Sequence, residues 1–236
     1  MPGVIVITGA AGALGGALSR HLLVRGYRVA GVGLRRHAER LDGMERELGD
    51  AFAGLVLEAD SIPAWEVLLG AVEARLGAVT GAALVAGGWR GGRPAHEDRD
   101  ESAWRAMLDE NLESAHRALV AVVARLAAQR AGSVVVVGSR NVERPWTGAG
   151  AAAYTVAKSA VVTLARVVAS EVLDAGVRVN AVLPSTIDTP ANRAAMPAAD
   201  AARWVASGSV AAVVEFLLSD AARDVSGAAI PVYGRA

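Results

Sequence analysis

The sequence predicts an α/β fold in which a parallel sheet of about seven strands carries helices on both faces, a doubly wound arrangement. Three observations predict it. Short β-branched runs recur along the chain, each is followed by a longer Ala-, Leu- and Arg-rich stretch with helical spacing, and the runs are almost entirely apolar, as strands buried on both faces must be. The runs put strands at 3–7, 28–32, 54–58, 81–85, 133–138, 177–182 and 228–232, and helices at 13–25, 36–48, 62–76, 101–130, 152–175 and 209–221. No linker, repeat or low-complexity segment interrupts the alternation, so the 236 residues are expected to form one domain spanning 1–236.

Composition narrows the function classes. Hydrophobic residues make up 53% of the chain, enough for a sizeable core, and 24 basic against 24 acidic residues leave no net field to draw it to nucleic acid or an anionic membrane. With no cysteine, disulfides, thiolate metal sites and cysteine nucleophiles are excluded, which suits a reducing cytoplasm. The start at Met1 lacks the pattern of an export signal, and apolar runs such as Val134–Val137 are far shorter than a bilayer span of roughly 20 residues. His21, His37, His96 and His116 are scattered, without the spacing of a metal-ligand pair. A small, weakly charged ligand is the expected partner.

The first strand, Val4-Ile5-Val6-Ile7, runs into Thr8-Gly9-Ala10-Ala11-Gly12-Ala13-Leu14-Gly15 and then a helical pattern through Leu22. Gly9 and Gly12 let the backbone approach a pyrophosphate, Gly15 lets the helix pack on the strand, and the helix N-terminus offers free N–H groups to phosphate. Glycines also serve ordinary turns, and the strand before and helix after this one favour the phosphate reading. The segments that follow the fourth and sixth strands, from Gly87 to Pro94 and from Pro184 to Gly208, fall at the carboxyl edge of the sheet, where such folds bind ligands.

The fifth strand ends at Gly138-Ser139, which sets a hydroxyl where it can stabilise a developing negative charge or merely cap the next turn. In the helix that follows, Tyr154 and Lys158 lie four residues apart on one face. Alone, that pair is most often a solvated helix face; in a site, the ammonium would favour the phenolate and make Tyr154 a proton donor or acceptor near neutrality. Asn111 sits inside the long predicted helix 101–130, where its poor helix propensity calls for a role in chemistry, in packing or in a bend.

Together these pieces resemble the short-chain dehydrogenase/reductase family over nearly the whole chain. The resemblance implies a Rossmann-type fold, a nicotinamide dinucleotide along Thr8, Gly9, Ala11, Gly12, Ala13, Leu14 and Gly15, and a catalytic tetrad of Asn111, Ser139, Tyr154 and Lys158. It further implies that Lys158 holds the nicotinamide ribose, that Asn111 supports a water-linked proton relay, that Asp60 approaches the adenine, and that Ser61, Ala86, Gly87, Tyr154, Pro184, Ile187 and Thr189 complete the cofactor site. The chain departs from the family pattern at Ala13, at Val85-Ala86-Gly87, and in the fifteen residues from Ser139 to Tyr154, about two more than the family's spacing.

Ala86-Gly87-Gly88-Trp89, Gly91-Gly92 and Asp188-Thr189-Pro190-Ala191-Asn192-Arg193 are similar to the dihydropteridine reductase branch, whose members reduce a quinonoid pterin and lack the serine. Keeping Ser139 favours ketone or alcohol chemistry. Trp89 and Trp146 would flank the nicotinamide as flat walls for a ring-bearing ketone or alcohol, or else fill gaps in the loops. At the end of the second strand, where an NAD-specific relative carries an acid, stands Gly33, and Arg35 and Arg36 follow. Guanidinium groups there suit a 2′-phosphate, so NADP(H) is preferred and NAD(H) remains usable; the alternative is two solvated arginines at a helix start. A dinucleotide-sensing regulator without chemistry is the reading from another class. Leu119, Val120, Val122, Val123, Val161, Val162 and Leu164 give the two long helices more apolar positions than one sheet face needs, which suggests a homo-oligomer, a dimer or tetramer.

Overall fold

A computed structural model describes residues 3–58 and 60–235. Seven parallel strands form the main sheet: β1 (Val4–Thr8), β2 (Arg28–Leu34), β3 (Phe52–Leu57), β4 (Val79–Leu84), β5 (Gly132–Val137), β6 (Val177–Pro184) and, after two short strands, β9 (Ala229–Val232). Their spatial order is β3-β2-β1-β4-β5-β6-β9, so chain direction across the sheet reverses between β1 and β4. That reversal opens a crevice at the carboxyl ends of β1 and β4, the place where doubly wound sheets take ligands. Expected strand boundaries agree with the observed ones to within two residues.

Alternation along each strand fills two cores. Val4 and Val6 of β1 and Val134 and Val136 of β5 pack on one face under helices α3 (Ile62–Leu76), α5 (Ser114–Gln129) and α6 (Ala152–Glu171). Ile5, Ile7, Val135 and Val137 point the other way, under α1 (Ala13–Val24), α2 (Ala38–Leu48) and α8 (Ser207–Leu218). The two-residue period of a strand demands this division, and burial on both faces explains the uniformly apolar runs.

Several expectations are corrected. The helix expected over 101–130 is α4 (Glu101–Leu108), a π-helical turn at Asp109–Glu113, and α5. A π turn adds one residue to the ring of the backbone bond without changing the apolar pattern enough to announce itself. The helix expected over 152–175 ends at Glu171 and gives way to a 3-10 turn at Leu173–Ala175, and the last long helix lies at 207–218 rather than 209–221. A separate pair of parallel strands, β7 (Ile187–Asp188) and β8 (Val205–Ala206), was not foreseen, and α7 (Pro190–Ala195) lies between them. Two residues per strand are too few to show a period.

The apolar positions on the long helices have a different use from the one expected. Leu119, Val122, Val123, Val161 and Val162 are buried against the chain's own sheet, so they are not a surplus left for a partner; Val120 alone of that set is exposed. One helix among the described residues, α6, is long and apolar enough to cross a bilayer, yet Lys158, Val161, Val162 and Ala165 of this helix are buried within the fold.

Candidate active site

The glycine turn builds one end of the crevice. After Thr8 the chain reverses at Gly9 with φ +66°, a left-handed conformation that favours glycine, and a Cβ there would sit 3.0 Å from the Ala86 Cα. The Gly9 amide donates to the Val32 carbonyl at 3.0 Å and the Gly12 amide to the Gly9 carbonyl at 2.9 Å. At Gly15 a Cβ would lie 2.3 Å from the Gly9 carbonyl oxygen, so only glycine lets α1 pack this close to the turn. Helix α1 starts at Ala13 with no side-chain cap, which leaves the amides of its first turn available to an anion. The Thr8 hydroxyl accepts from the Ala86 amide at 2.9 Å and joins the ends of β1 and β4.

Thr8, Gly9, Ala11, Gly12, Ala13, Leu14 and Gly15 all line a cleft of about 580 Å³, and Gly33, Arg36, Asp60, Ala86 and Gly87 line it with them. This volume lies within the usual range of ligand pockets. Lack of a Cβ at Gly9 and Gly15, an uncapped helix start and two arginines at the far end together fit a dinucleotide with its phosphates. Seven of the expected cofactor residues do not line this cleft: Tyr154, Lys158, Pro184, Ile187 and Thr189 stand beyond its lining, and Arg35 and Ser61 are engaged elsewhere. Arg35 turns outward to pair with Glu58 on the surface, and the Ser61 hydroxyl caps α3 by accepting from the Ala64 amide.

Sequence reasoning missed Arg40 and His37, which line the cleft beside Arg36. Arg40 stands four residues after Arg36, one helical turn on, and that spacing was the available signal. The His37 ring packs where a side chain at position 33 would go: a Cβ on Gly33 would meet His37 Cβ at 3.1 Å and Nδ1 at 3.3 Å. An acid at that position would therefore have to displace the imidazole. Burial, with Arg36 and Arg40 nearby, lowers the His37 pKa, so its ring is neutral at pH 7 and the cationic character here comes from the two arginines.

At the other end, β5 delivers Ser139 just beyond Val137 and Gly138. A Cβ on Gly138 would lie 2.6 Å from Leu183 and 2.8 Å from Val162, so this close packing requires glycine. Ser139 is buried, its hydroxyl accepts from the Asn141 amide at 3.3 Å and caps the turn, and it stands close enough to Tyr154 to favour the ionised phenol in part. The longer spacing to Tyr154 is absorbed by two 3-10 turns, Arg140–Val142 and Pro145–Gly148, tied to α6 by a 3.3 Å bond from Asn141 Nδ2 to the Thr155 hydroxyl.

Lys158 reaches the cleft beside Gly87, and Tyr154 precedes it by one turn of the same helix. The Lys158 ammonium is buried, donates to the Val137 carbonyl at 2.9 Å, and has its pKa lowered by that burial to about 8. It lies 6.0 Å from the centre of the Tyr154 ring. The expectation that this ammonium would favour the phenolate is corrected: burial raises the Tyr154 pKa, the neighbouring Ser139 hydroxyl only partly opposes it, and the phenol is held protonated.

Asn111 occupies the π turn. Its Nδ2 donates to the Gly88 carbonyl at 3.1 Å and to the Met107 carbonyl at 3.0 Å, while its buried Oδ1 has no partner. A Cβ on Gly87 would fall 2.5 Å from that Oδ1 and 3.0 Å from Lys158 Nζ. Asn111, Lys158 and the dinucleotide cleft thus meet at one small space that glycine at position 87 keeps open.

Pro184 ends β6 and is buried, Ile187 lies in β7, and Thr189 caps α7 by accepting from the Asn192 amide at 3.1 Å. All three lie at or just beyond the carboxyl end of β6. Trp89 and Trp146 are 64% and 72% exposed, which removes the reading that they fill gaps in the loops. The strand-exit segment carrying Trp89 leans on the Gly150–Ala151 turn that opens α6, and the Gly92 amide donates to the Gly150 carbonyl at 2.8 Å.

Comparison with known proteins gives a consistent picture. A family model described as short chain dehydrogenase matches residues 3–200. The chain is 28% identical over 239 residues to the 3-oxoacyl acyl-carrier-protein reductase FabG of Salmonella typhimurium, covering 98% of this chain and 96% of that protein. It is 33% identical to the cis-4-hydroxycyclohexanecarboxylate dehydrogenase of Sinomonas cyclohexanicum, covering 98% and 95%. Among solved structures, an oxidoreductase of the short chain dehydrogenase/reductase family from Burkholderia thailandensis superposes with a TM-score of 0.86 at 32% identity, covering 99% of this chain and 92% of that one. The resemblance to the dihydropteridine reductase branch gains no support from these matches.

Proposed function

The chain belongs to the short chain dehydrogenase family and is an NAD(P)-dependent oxidoreductase, and from that premise we propose that it interconverts a ring-bearing ketone and its alcohol, with NADP(H) preferred and NAD(H) usable. The observation that carries this reading is a buried Lys158 on the helix of a protonated Tyr154, with the Lys158 ammonium beside Gly87, a residue of the glycine-lined cleft. Held along Gly9, Gly12 and Gly15, a bound dinucleotide would supply or accept the hydride. Everything else is the work of the chain's own side chains.

Tyr154 gives its phenolic proton to the carbonyl oxygen as reduction proceeds and recovers it in oxidation. Burial, which keeps that phenol protonated, suits the reducing direction. Ser139 hydrogen-bonds the same oxygen and fixes its position beside Tyr154. Lys158 would hold the nicotinamide ribose and, with its lowered pKa, re-supply the proton through the space it shares with Asn111 and Gly87. Arg36 and Arg40 would take a 2′-phosphate in charge-assisted hydrogen bonds, and Asp60 would border the adenine.

The exposed rings of Trp89 and Trp146, near the start of the helix that carries Tyr154, suit a flat or cyclic substrate. The cis-4-hydroxycyclohexanecarboxylate dehydrogenase named above acts on a ring alcohol by its name, which agrees with that choice. A quinonoid pterin would make no use of Ser139, and a non-catalytic regulator would have no use for a buried lysine and tyrosine. We further assign residues 1–236 to one dinucleotide-binding and catalytic domain, cytoplasmic and acting as a homo-oligomer, with exposed Val120, Val156 and Val167 available to a second copy. Titration with NADPH and NADH, followed by addition of cyclic ketones and a quinonoid dihydropterin to each complex, tests this reading. Ketone-dependent oxidation of NADPH supports it; turnover of the pterin alone refutes it.

A further inference from the structure

Asp60 has both carboxylate oxygens engaged. Its Oδ1 accepts from the indole N–H of Trp65 at 3.3 Å, and its Oδ2 accepts from Arg117 Nη1 at 3.0 Å. The same Arg117 nitrogen donates to Asp109 Oδ1 at 3.2 Å, and Nη2 stands 3.7 Å from Glu113 Oε2. Asp109 and Glu113 are the first and last residues of the π turn that holds Asn111. One guanidinium on α5 therefore joins a carboxylate after β3 to both ends of the turn that presents Asn111 to Lys158.

We propose that Arg117 is a positioning residue that couples the adenine end of the cleft to the geometry of Asn111 at its catalytic end. Asp60, Trp65 and Asp109 all line the cleft, whereas Arg117 stands behind them and is absent from the lining. A single nitrogen, Arg117 Nη1, is shared by the carboxylates of Asp60 and Asp109. Without it, two carboxylates would repel across the cleft wall, and the π turn, whose backbone bonds span one residue more than those of an α-helix, would relax toward ordinary helix. Relaxation would rotate Asn111 away from Gly88 and from the space beside Lys158. Arg117 is three-quarters buried and meets its partners through two different nitrogens, the geometry in which an ion-pair network acts as a unit. A dinucleotide whose adenine presses on Asp60 would then be felt at Asn111.

The inference rests on the dinucleotide reading, and its test separates the two. Arg117→Met keeps the length of the side chain without its charge, Arg117→Lys restores the charge without the fork, and Asp60→Asn keeps the shape of the far partner. In the free protein, hydrogen exchange at the amides of 109–114 should speed up in Arg117→Met and also in Asp60→Asn, although Asp60 lies on a different element. NADPH affinity should fall about tenfold in Arg117→Met, and kcat should fall with KM for the ketone unchanged, with partial recovery in Arg117→Lys. Unchanged exchange at 109–114 in Asp60→Asn, or lowered melting temperature in Arg117→Met with affinity and kcat intact, would overturn it. If the wild-type protein turned over no ketone, the exchange and affinity arms would still decide this proposal.

Discussion

Lys158 and Val137 are joined by a 2.9 Å hydrogen bond from a buried ammonium to the carbonyl of the last residue of β5. This bond fixes the side chain against the strand end that also carries Ser139, and the burial that makes it possible is costly. The pKa falls from 10.5 to about 8 because the charged form has lost its water.

The pH dependence follows from that shift. Below about pH 8 the lysine is charged in both folded and unfolded chains, and the folded state bears the full desolvation cost. Between about 8 and 10.5 the folded form loses its proton while the unfolded form keeps it, so stability rises with pH. Lys158→Met removes the cost, about 3 kcal/mol by the size of the shift, less about 1 kcal/mol for the lost hydrogen bond. The variant should melt higher than wild type at pH 7, lose activity, and show a gap that narrows toward pH 10. Thermal melts at the two pH values measure this, and a variant less stable than wild type at pH 7 would contradict it.

Two glycine substitutions should have opposite signs. A Cβ on Gly15 collides with the Gly9 carbonyl at 2.3 Å, and Gly15→Ala should cost about 2–4 kcal/mol together with dinucleotide binding. Gly70, exposed in the middle of α3, has nothing within 4 Å of the same position. Gly70→Ala should stabilise by about 0.5–1 kcal/mol. Urea denaturation of both variants checks the pair.

The basic end of the cleft separates arginines that look alike in sequence. Arg36→Ala and Arg40→Ala should each weaken NADPH about tenfold and leave NADH nearly unchanged. Arg35→Ala should alter neither, because its guanidinium pairs with Glu58 outside the cleft. Fluorescence titration with the two nucleotides decides it; equal losses for both nucleotides would remove the 2′-phosphate assignment.

The fold was legible because burial on both faces writes β strands as uninterrupted apolar runs, and Gly9, Gly12 and Gly15 mark the turn that follows the first. That Tyr154 and Lys158 share one helix was legible for a similar reason: their spacing is a property of the helix itself. What escaped depends on through-space partners. Arg35 and Arg36 are neighbours in sequence, and only Glu58 across the next strand end decides that one turns outward. Ser61 reads as a candidate ligand until the Ala64 amide takes its hydroxyl. Asn111 signalled an irregularity within a helix, but the π turn that explains it is held by Arg117 and its carboxylates, and no local pattern encodes that network. Most of the apolar positions counted as surplus on α5 and α6 cover their own sheet, and the exposed valines of these helices are Val120, Val156 and Val167.

The most direct measurement compares wild type with Tyr154→Phe, first by NADPH titration and then by oxidation of bound NADPH on adding a cyclic ketone. Because the phenol donates the proton but does not hold the phosphates, both proteins should bind NADPH with nearly equal affinity, and only the wild type should oxidise it. Turnover by Tyr154→Phe at the wild-type rate, or failure of both proteins to bind either nicotinamide nucleotide, would contradict the account.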